Sequence, residues 1–94
     1  MRVRWLTRAL RNLHAEAEYI ARDKPLAAAR VVQAIFDAVD RLQDFPAMGR
    51  PGRVAGTREL VIPGTPYIIP YRVRREEIEI LRVFHAARKW PPTP

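Results

Sequence analysis

Hydrophobic spacing divides this chain into a helical first half and a strand-like second half. Apolar residues recur every three or four positions from Leu10 to Ala21, which predicts a helix over about 8–22 with Thr7 as its N-cap. The same spacing returns after Pro25 and predicts a second helix to about Gln43. Because the break between the two helices is short, we expect an antiparallel helical hairpin.

The second half carries three apolar runs typical of strands: Thr57–Ile62, Tyr67–Val73 and Glu77–His85. Their short connections predict an antiparallel meander. Pro70 cannot donate a hydrogen bond, so we expect a bulge or an unpaired side in the second of these strands. Arg2–Trp5 alternates over too short a span to decide alone and is a candidate first strand.

These elements predict an α+β fold in which the helical hairpin, about 8–44, packs on one face of a three- or four-stranded antiparallel sheet. The meander covers about 57–85 and a tail covers 86–94, within one domain spanning 1–94. A chain of 94 residues supports one modest core. The other face of the sheet is left as a candidate groove for a partner.

Composition excludes several kinds of site. The chain has no cysteine, and its two histidines, His14 and His85, are far apart, so we expect no metal site and no cofactor. His14 lies at the edge of an apolar stripe and is interpreted as a packing residue. The acids of the second helix share its polar face and are interpreted as solvated: Asp37, Asp40 and Asp44. Without a long apolar run or a signal peptide, a cytoplasmic protein is expected.

Charge is the strongest compositional signal. Lysine and arginine total 17 against 10 acids, a net charge of +7, and lysine occurs only at Lys24 and Lys89. Between positions 47 and 75 there are six arginines and one acid, Glu59, next to a loop over 47–56 that contains three glycines. This arginine-rich segment is either the solvated surface of a basic protein or a positively charged surface that attracts an acidic partner, which could be nucleic acid or protein.

The order of several motifs resembles the RelE/ParE superfamily of toxins from bacterial type II toxin–antitoxin modules. They are Phe45-Pro-x-Met-Gly-Arg50, Gly56-Thr-Arg-Glu-Leu60, Tyr67-x-x-x-Tyr71-Arg72 and Ile80-Leu-Arg-Val-x-His85-x-x-Arg88-x-Trp90-Pro91, after a helix pair. The resemblance implies two helices on an antiparallel sheet. It also implies an acidic antitoxin, similar to ParD or RelB, that wraps the toxin.

The superfamily divides by activity. RelE-type members cut mRNA on the ribosome, and in that branch the resemblance implies Arg58 at the scissile phosphate and His85 in acid–base work. Arg50 and Arg53, with Arg88 and Trp90, would then hold nucleic acid or the target. The loop over 47–56 lacks the glutamate or paired lysines of the nucleases.

ParE-type members inhibit DNA gyrase as protein ligands, and the Pro-x-Met-Gly and Arg-Val-x-His segments resemble that branch more closely. We therefore favour a gyrase inhibitor and keep the ribosome-dependent mRNA endonuclease as the alternative, so whether the chain is an enzyme stays open. A non-toxic basic nucleic-acid-binding domain is a third hypothesis, on charge alone. For the antitoxin we expect contacts on exposed apolar parts of the hairpin and on Arg72, Arg74 and Arg82.

Overall fold

Two helices form the first half of the chain in the computed structural model, which describes residues 1–87. They are α1, Thr7–Ala21, and α2, Pro25–Arg41. The prediction of Thr7 as the N-cap is wrong: Leu6 holds that position without a side-chain cap. The Leu6 N–H donates to the Ile80 carbonyl at 3.0 Å, so the chain is still bound to the sheet one residue before the helix begins. Helix α2 ends two residues before the predicted Gln43.

The α+β class is confirmed, and the sheet is larger than predicted. Within residues 1–87 it has six strands: β1 Arg2–Trp5, β2 Arg50–Pro51, β3 Arg58–Val61, β4 Tyr67–Arg74, β5 Glu77–Ile80 and β6 Phe84–His85. The order is β1-β5-β4-β3-β2, with β6 also paired to β4. The candidate first strand is therefore present, and it is parallel to β5 while the other pairs are antiparallel. Both helices and three strands lie between β1 and β5, which provides the long connection that a parallel pair needs.

Pro70, in β4, interrupts the neighbouring strand, which was predicted to run continuously over 77–85 and instead forms β5 and β6. The Leu81 N–H donates to the Pro70 carbonyl at 2.9 Å, but the proline has no N–H to return. The ladder stops there, residues 81–83 leave the sheet, and pairing resumes where Phe84 lies opposite Ile68. The expected unpaired side at Pro70 is confirmed, and the expectation of a continuous strand is wrong.

The core lies between the hairpin and one face of the sheet. Alternate residues of β4 point into it, because successive side chains in a strand take opposite faces. Tyr67, Ile69 and Tyr71 are buried among residues of both helices, including Ile35, and the rings of Trp5 and Phe36, 5.2 Å apart, pack β1 against α2. The other face of the sheet, called the back face below, carries the intervening residues of each strand.

Candidate functional site

A buried tyrosine holds an exposed apolar loop in place. The segment Phe45–Gly49, called the clamped loop below, follows α2 and leads into β2. The Tyr71 hydroxyl donates to the Pro46 carbonyl at 2.8 Å and accepts the Gly49 N–H at 2.8 Å. Burial raises the pKa of this phenol, and the Gly49 hydrogen bond and the charge of Arg58 reduce that rise. The hydroxyl therefore stays protonated and able to donate at neutral pH.

Arg58 takes part in the same clamp. Its Nη1 donates to the Gly49 carbonyl at 2.8 Å and lies 3.4 Å from the Ala47 carbonyl. The guanidinium that the nuclease hypothesis assigns to a phosphate is thus bound to loop carbonyls. The clamp leaves Phe45 62% exposed and Met48 43% exposed, which gives the loop an apolar outer surface.

His85 lies beside the first residue of β4, away from the middle of that strand, where Arg58 pairs. In β6 it pairs with Tyr67, whose ring it meets edge-on at 5.6 Å, and its Nδ1 accepts the Ala87 N–H at 3.2 Å. Arg58 pairs with Tyr71, on the opposite side of β4. Tyr67 and Tyr71 are four residues apart, about 13 Å along a strand. With Arg58 turned to the clamped loop, the structure does not bring the two predicted catalytic residues together.

Arg50 and Arg53 surround the buried carboxylate of Glu59, whose residue is 3% exposed. One carboxylate oxygen accepts from Arg50 Nε and Nη2 at 3.2 and 3.1 Å. The other accepts the Arg53 backbone N–H at 3.0 Å, with Arg53 Nε at 3.9 Å. Arg50 through its guanidinium and Arg53 chiefly through its backbone N–H therefore anchor the loop that β2 begins, while both side chains stay more than half exposed.

The back face carries a regular array of opposite charges, called the arginine rows below. Strand register aligns two rows, each with a glutamate between two arginines: Arg2, Glu77 and Arg74 in one, and Arg4, Glu79 and Arg72 in the other. Arg72 Nε donates to Glu79 at 2.6 Å, and Arg4 lies 3.4 Å from the same carboxylate. The hydrogen bond from Arg72 lowers the pKa of Glu79, against the opposing effect of burial, and nearby arginine charges lower it further.

The three predicted antitoxin contacts do not form one patch. Arg72 and Arg74 belong to the arginine rows, whereas Arg82 lies past the end of β5, 5.9 Å from the centre of the Phe84 ring. Burial lowers the pKa of Arg82, and the charge of Arg8 lowers it further. Its Nε is buried without an acceptor among residues 1–87. Arg88 and Trp90, which were predicted to contact nucleic acid or the target, lie outside the described residues.

A groove at the sheet edge was missed by the sequence analysis. It encloses about 290 Å³ and lies between α2 and β3, where Ala38, Leu60 and Val61 provide apolar walls and Arg41 and Arg50 line its rim. Strand β2 begins only at Arg50, opposite Glu59, so it does not extend far enough to cover Val61, which is 47% exposed. In the structure, the groove is marked by the exposure of Val61 between two buried neighbours, Leu60 and Ile62. This exposure cannot be read from the sequence.

Within the described part of the chain, no three His, Asp or Glu side chains are grouped so that they could hold a metal ion. No helix among those residues is long and apolar enough to cross a membrane.

Comparison with known proteins gives a consistent group of relatives. The family model for the ParE toxin of the type II toxin–antitoxin system parDE matches residues 3–90. The chain is 57% identical to Y4kP of Sinorhizobium fredii over 90 residues, 96% of this chain and 93% of that one. It is 42% identical to Toxin RelE2 of Caulobacter vibrioides over 84 residues, 89% of this chain and 93% of that one.

Two solved structures share the fold. A chain of the chromosomal ParDE system from P. aeruginosa superposes with a TM-score of 0.83 at 33% identity, covering 90% of this chain and 95% of that one. A chain of the toxin–antitoxin complex RelBE2 from Mycobacterium tuberculosis gives 0.56, also at 33% identity, covering 89% and 95%.

Proposed function

This chain belongs to the ParE toxin family of type II toxin–antitoxin systems, and we propose that it inhibits DNA gyrase as a protein ligand until an antitoxin covers it. The third hypothesis, a non-toxic nucleic-acid-binding domain, gives way to this family membership. The choice that remains is between a gyrase inhibitor and a ribosome-dependent mRNA endonuclease.

The separation of Arg58 from His85 carries the proposal. Cleavage of RNA by its own 2′-hydroxyl needs a base, an acid and a cation at one phosphate. Here Arg58 is bound to the Gly49 carbonyl at 2.8 Å, and His85 pairs with Tyr67, the first residue of β4. A nuclease would have to bind its phosphate through the remaining N–H groups of Arg58 while Nη1 holds the clamped loop, whereas a protein ligand needs only the surface that the clamp presents.

The backbone comparison supports the same branch. At equal sequence identity, the chain superposes more closely on the ParDE structure than on the RelBE2 structure. One sequence relative carries the name RelE2, so family names alone do not decide between the two activities.

Replacement of His85 by alanine separates the two activities. If the chain acts as a protein ligand, growth inhibition on induced expression should stay within about twofold of wild type, because no proton transfer is required; a nuclease using His85 should lose about 10²–10⁴-fold. His14→Ala, at a histidine whose side chain is 80% exposed, is the matched control. Thermal unfolding of each variant shows whether the edge contact with Tyr67 matters for folding. Loss of toxicity by folded His85→Ala alone would favour the nuclease.

For the antitoxin we propose two contacts. An apolar segment would fill the groove between α2 and β3, where Val61 is exposed and Arg41 and Arg50 line the rim. Acidic residues would meet the arginine rows on the back face, chiefly Arg74, which has no carboxylate within 4.0 Å among residues 1–87. Arg82, half-buried beside Phe84, is the weakest of the three predicted contacts. One antitoxin chain reaching both surfaces would have to wrap around the sheet edge.

Reversal of charge at Arg74 tests the second contact. Arg74→Glu should weaken binding of the antitoxin encoded beside this chain by about tenfold at low salt, and the difference should shrink as salt screens the charges. Arg22→Glu, an equal charge change at an exposed position after α1, should leave the affinity unchanged. Titration calorimetry at two salt concentrations measures both. Equal affinities for Arg74→Glu and wild type would remove Arg74 from the interface.

A further inference from the structure

The turn between β4 and β5 holds two residues in a backbone conformation that disfavours their side chains. Arg75 has φ 50° and Glu76 has φ 60°, and these two residues alone connect the strands. A two-residue hairpin with both residues at positive φ favours Asn-Gly, since other side chains crowd the backbone there. Strain of this kind is typical of positions that are kept for function.

The charges around this turn are unbalanced. In the arginine rows four arginines face two glutamates, and both carboxylates are already engaged: Glu77 by Arg2 and Arg4, and Glu79 by Arg4 and Arg72. Neither Arg74 nor Arg75 has a carboxylate within 4.0 Å among residues 1–87. A depression of about 350 Å³ lies on this face, lined by Arg4, Arg74, Arg75 and the two glutamates. The turn adds Arg75 to the lining of this depression, whereas Glu76 is not among the lining residues.

We propose that Arg75 and Arg74 bind the phosphate backbone of duplex DNA. A guanidinium donates a pair of parallel hydrogen bonds that matches phosphate oxygens, and these two lie at one depression without a carboxylate within 4.0 Å among residues 1–87, whereas Arg4 beside them is paired with Glu77 and Glu79. The choice of duplex DNA among polyanions rests on the proposed function, because duplex DNA is the substrate of gyrase. The site differs from the one predicted from sequence, where the Arg50 guanidinium donates to Glu59 at 3.1 Å and the Arg53 guanidinium lies 3.9 Å from the same carboxylate.

A double substitution, Arg75→Asn with Glu76→Gly, tests the site without changing net charge. It installs the residues that this turn favours, so Tm should rise by about 4–8 °C and misfolding cannot explain lost binding. Affinity for a 30-bp duplex of random sequence, measured by fluorescence anisotropy at several salt concentrations, should fall at low salt. The negative slope of log K against log [salt] should become less steep by about 0.9, which corresponds to one phosphate contact. Glu76→Gly alone keeps Arg75 and should bind as tightly as wild type or more tightly.

An unchanged slope and affinity in the double variant would overturn the proposal, as would a wild-type chain that does not bind the duplex. Tighter binding of a duplex RNA of the same sequence would overturn the assignment to DNA. Gyrase inhibition without DNA binding would remove this site and leave the proposed function standing. DNA binding that depends on Arg75, without gyrase inhibition, would remove the proposed function and leave the phosphate site.

Discussion

Replacing Gly49 with alanine is expected to lower the free energy of unfolding by about 3 kcal/mol, from overpacking and lost buried hydrogen bonds together. A Cβ at this position would lie 2.6 Å from Tyr71 Cε1, 2.7 Å from the Tyr71 hydroxyl and 2.9 Å from the Glu59 carbonyl. The ring is buried and the carbonyl belongs to the sheet, so neither can move without breaking the clamp. Urea unfolding followed by circular dichroism measures the loss.

Gly56→Ala is the matched control for this prediction. Gly56 has φ 81° and nothing within 4 Å of an added Cβ, so alanine there costs only the conformational strain, about 1 kcal/mol. Tyr71→Phe should also destabilise the chain, because it leaves the Gly49 N–H without its acceptor. Gly49→Ala and Tyr71→Phe act on the same clamp, so the destabilisation of the double variant should be smaller than the sum of the two single effects. A cost for Gly49→Ala no greater than that for Gly56→Ala would show that the clamped loop is not packed as described.

Replacing Glu59 with alanine should cost about 3 kcal/mol, the second large effect, because a buried acceptor is removed from several donors at once. The Arg53 backbone N–H loses its partner, and the loop that begins with β2 loses its anchor. Glu59→Gln keeps the size of the side chain and one acceptor oxygen, so it should cost about 1 kcal/mol.

The matched control is Glu18→Ala, at a carboxylate that is 67% exposed and paired with His14 on the surface of α1. It should change the free energy of unfolding by less than about 0.5 kcal/mol. If Glu59→Ala were no worse than Glu18→Ala, the Glu59 carboxylate would not anchor the loop that begins with β2. The same urea titrations decide this.

The helices and the interruption at Pro70 could be predicted from local chemistry. Three- and four-residue spacing determines which face of α1 and α2 is apolar, and a proline in a strand lacks the N–H for one specific hydrogen bond of the sheet. The parallel pairing of β1 with β5 could not be predicted, because it depends on where the chain returns after the hairpin and not on the four residues Arg2–Trp5. The end of the predicted strand over 77–85 was missed because the missing donor belongs to its neighbour.

The candidate site was predictable as a set of arginines but not as a set of contacts. Sequence shows that Arg50, Arg53 and Arg58 are close to one acid, but it does not show that Glu59 is buried beneath the first two or that Arg58 faces the Gly49 carbonyl. Each pairing depends on the loop folding back against β3. The turn at Arg75 and Glu76 was not predicted, because the predicted strands left three residues between Val73 and Glu77, whereas the structure leaves two, a connection that favours positive φ.

Supercoiling of relaxed plasmid by purified gyrase, with and without this chain, shows whether the chain inhibits gyrase. If the chain is a gyrase inhibitor, supercoiling should fall as its concentration rises, cleaved DNA should accumulate, and prior addition of the antitoxin should prevent both effects. If gyrase is unaffected and the same folded protein cleaves mRNA on purified ribosomes, the chain is not a gyrase inhibitor. Arg58 and His85 would then be the catalytic residues to test first.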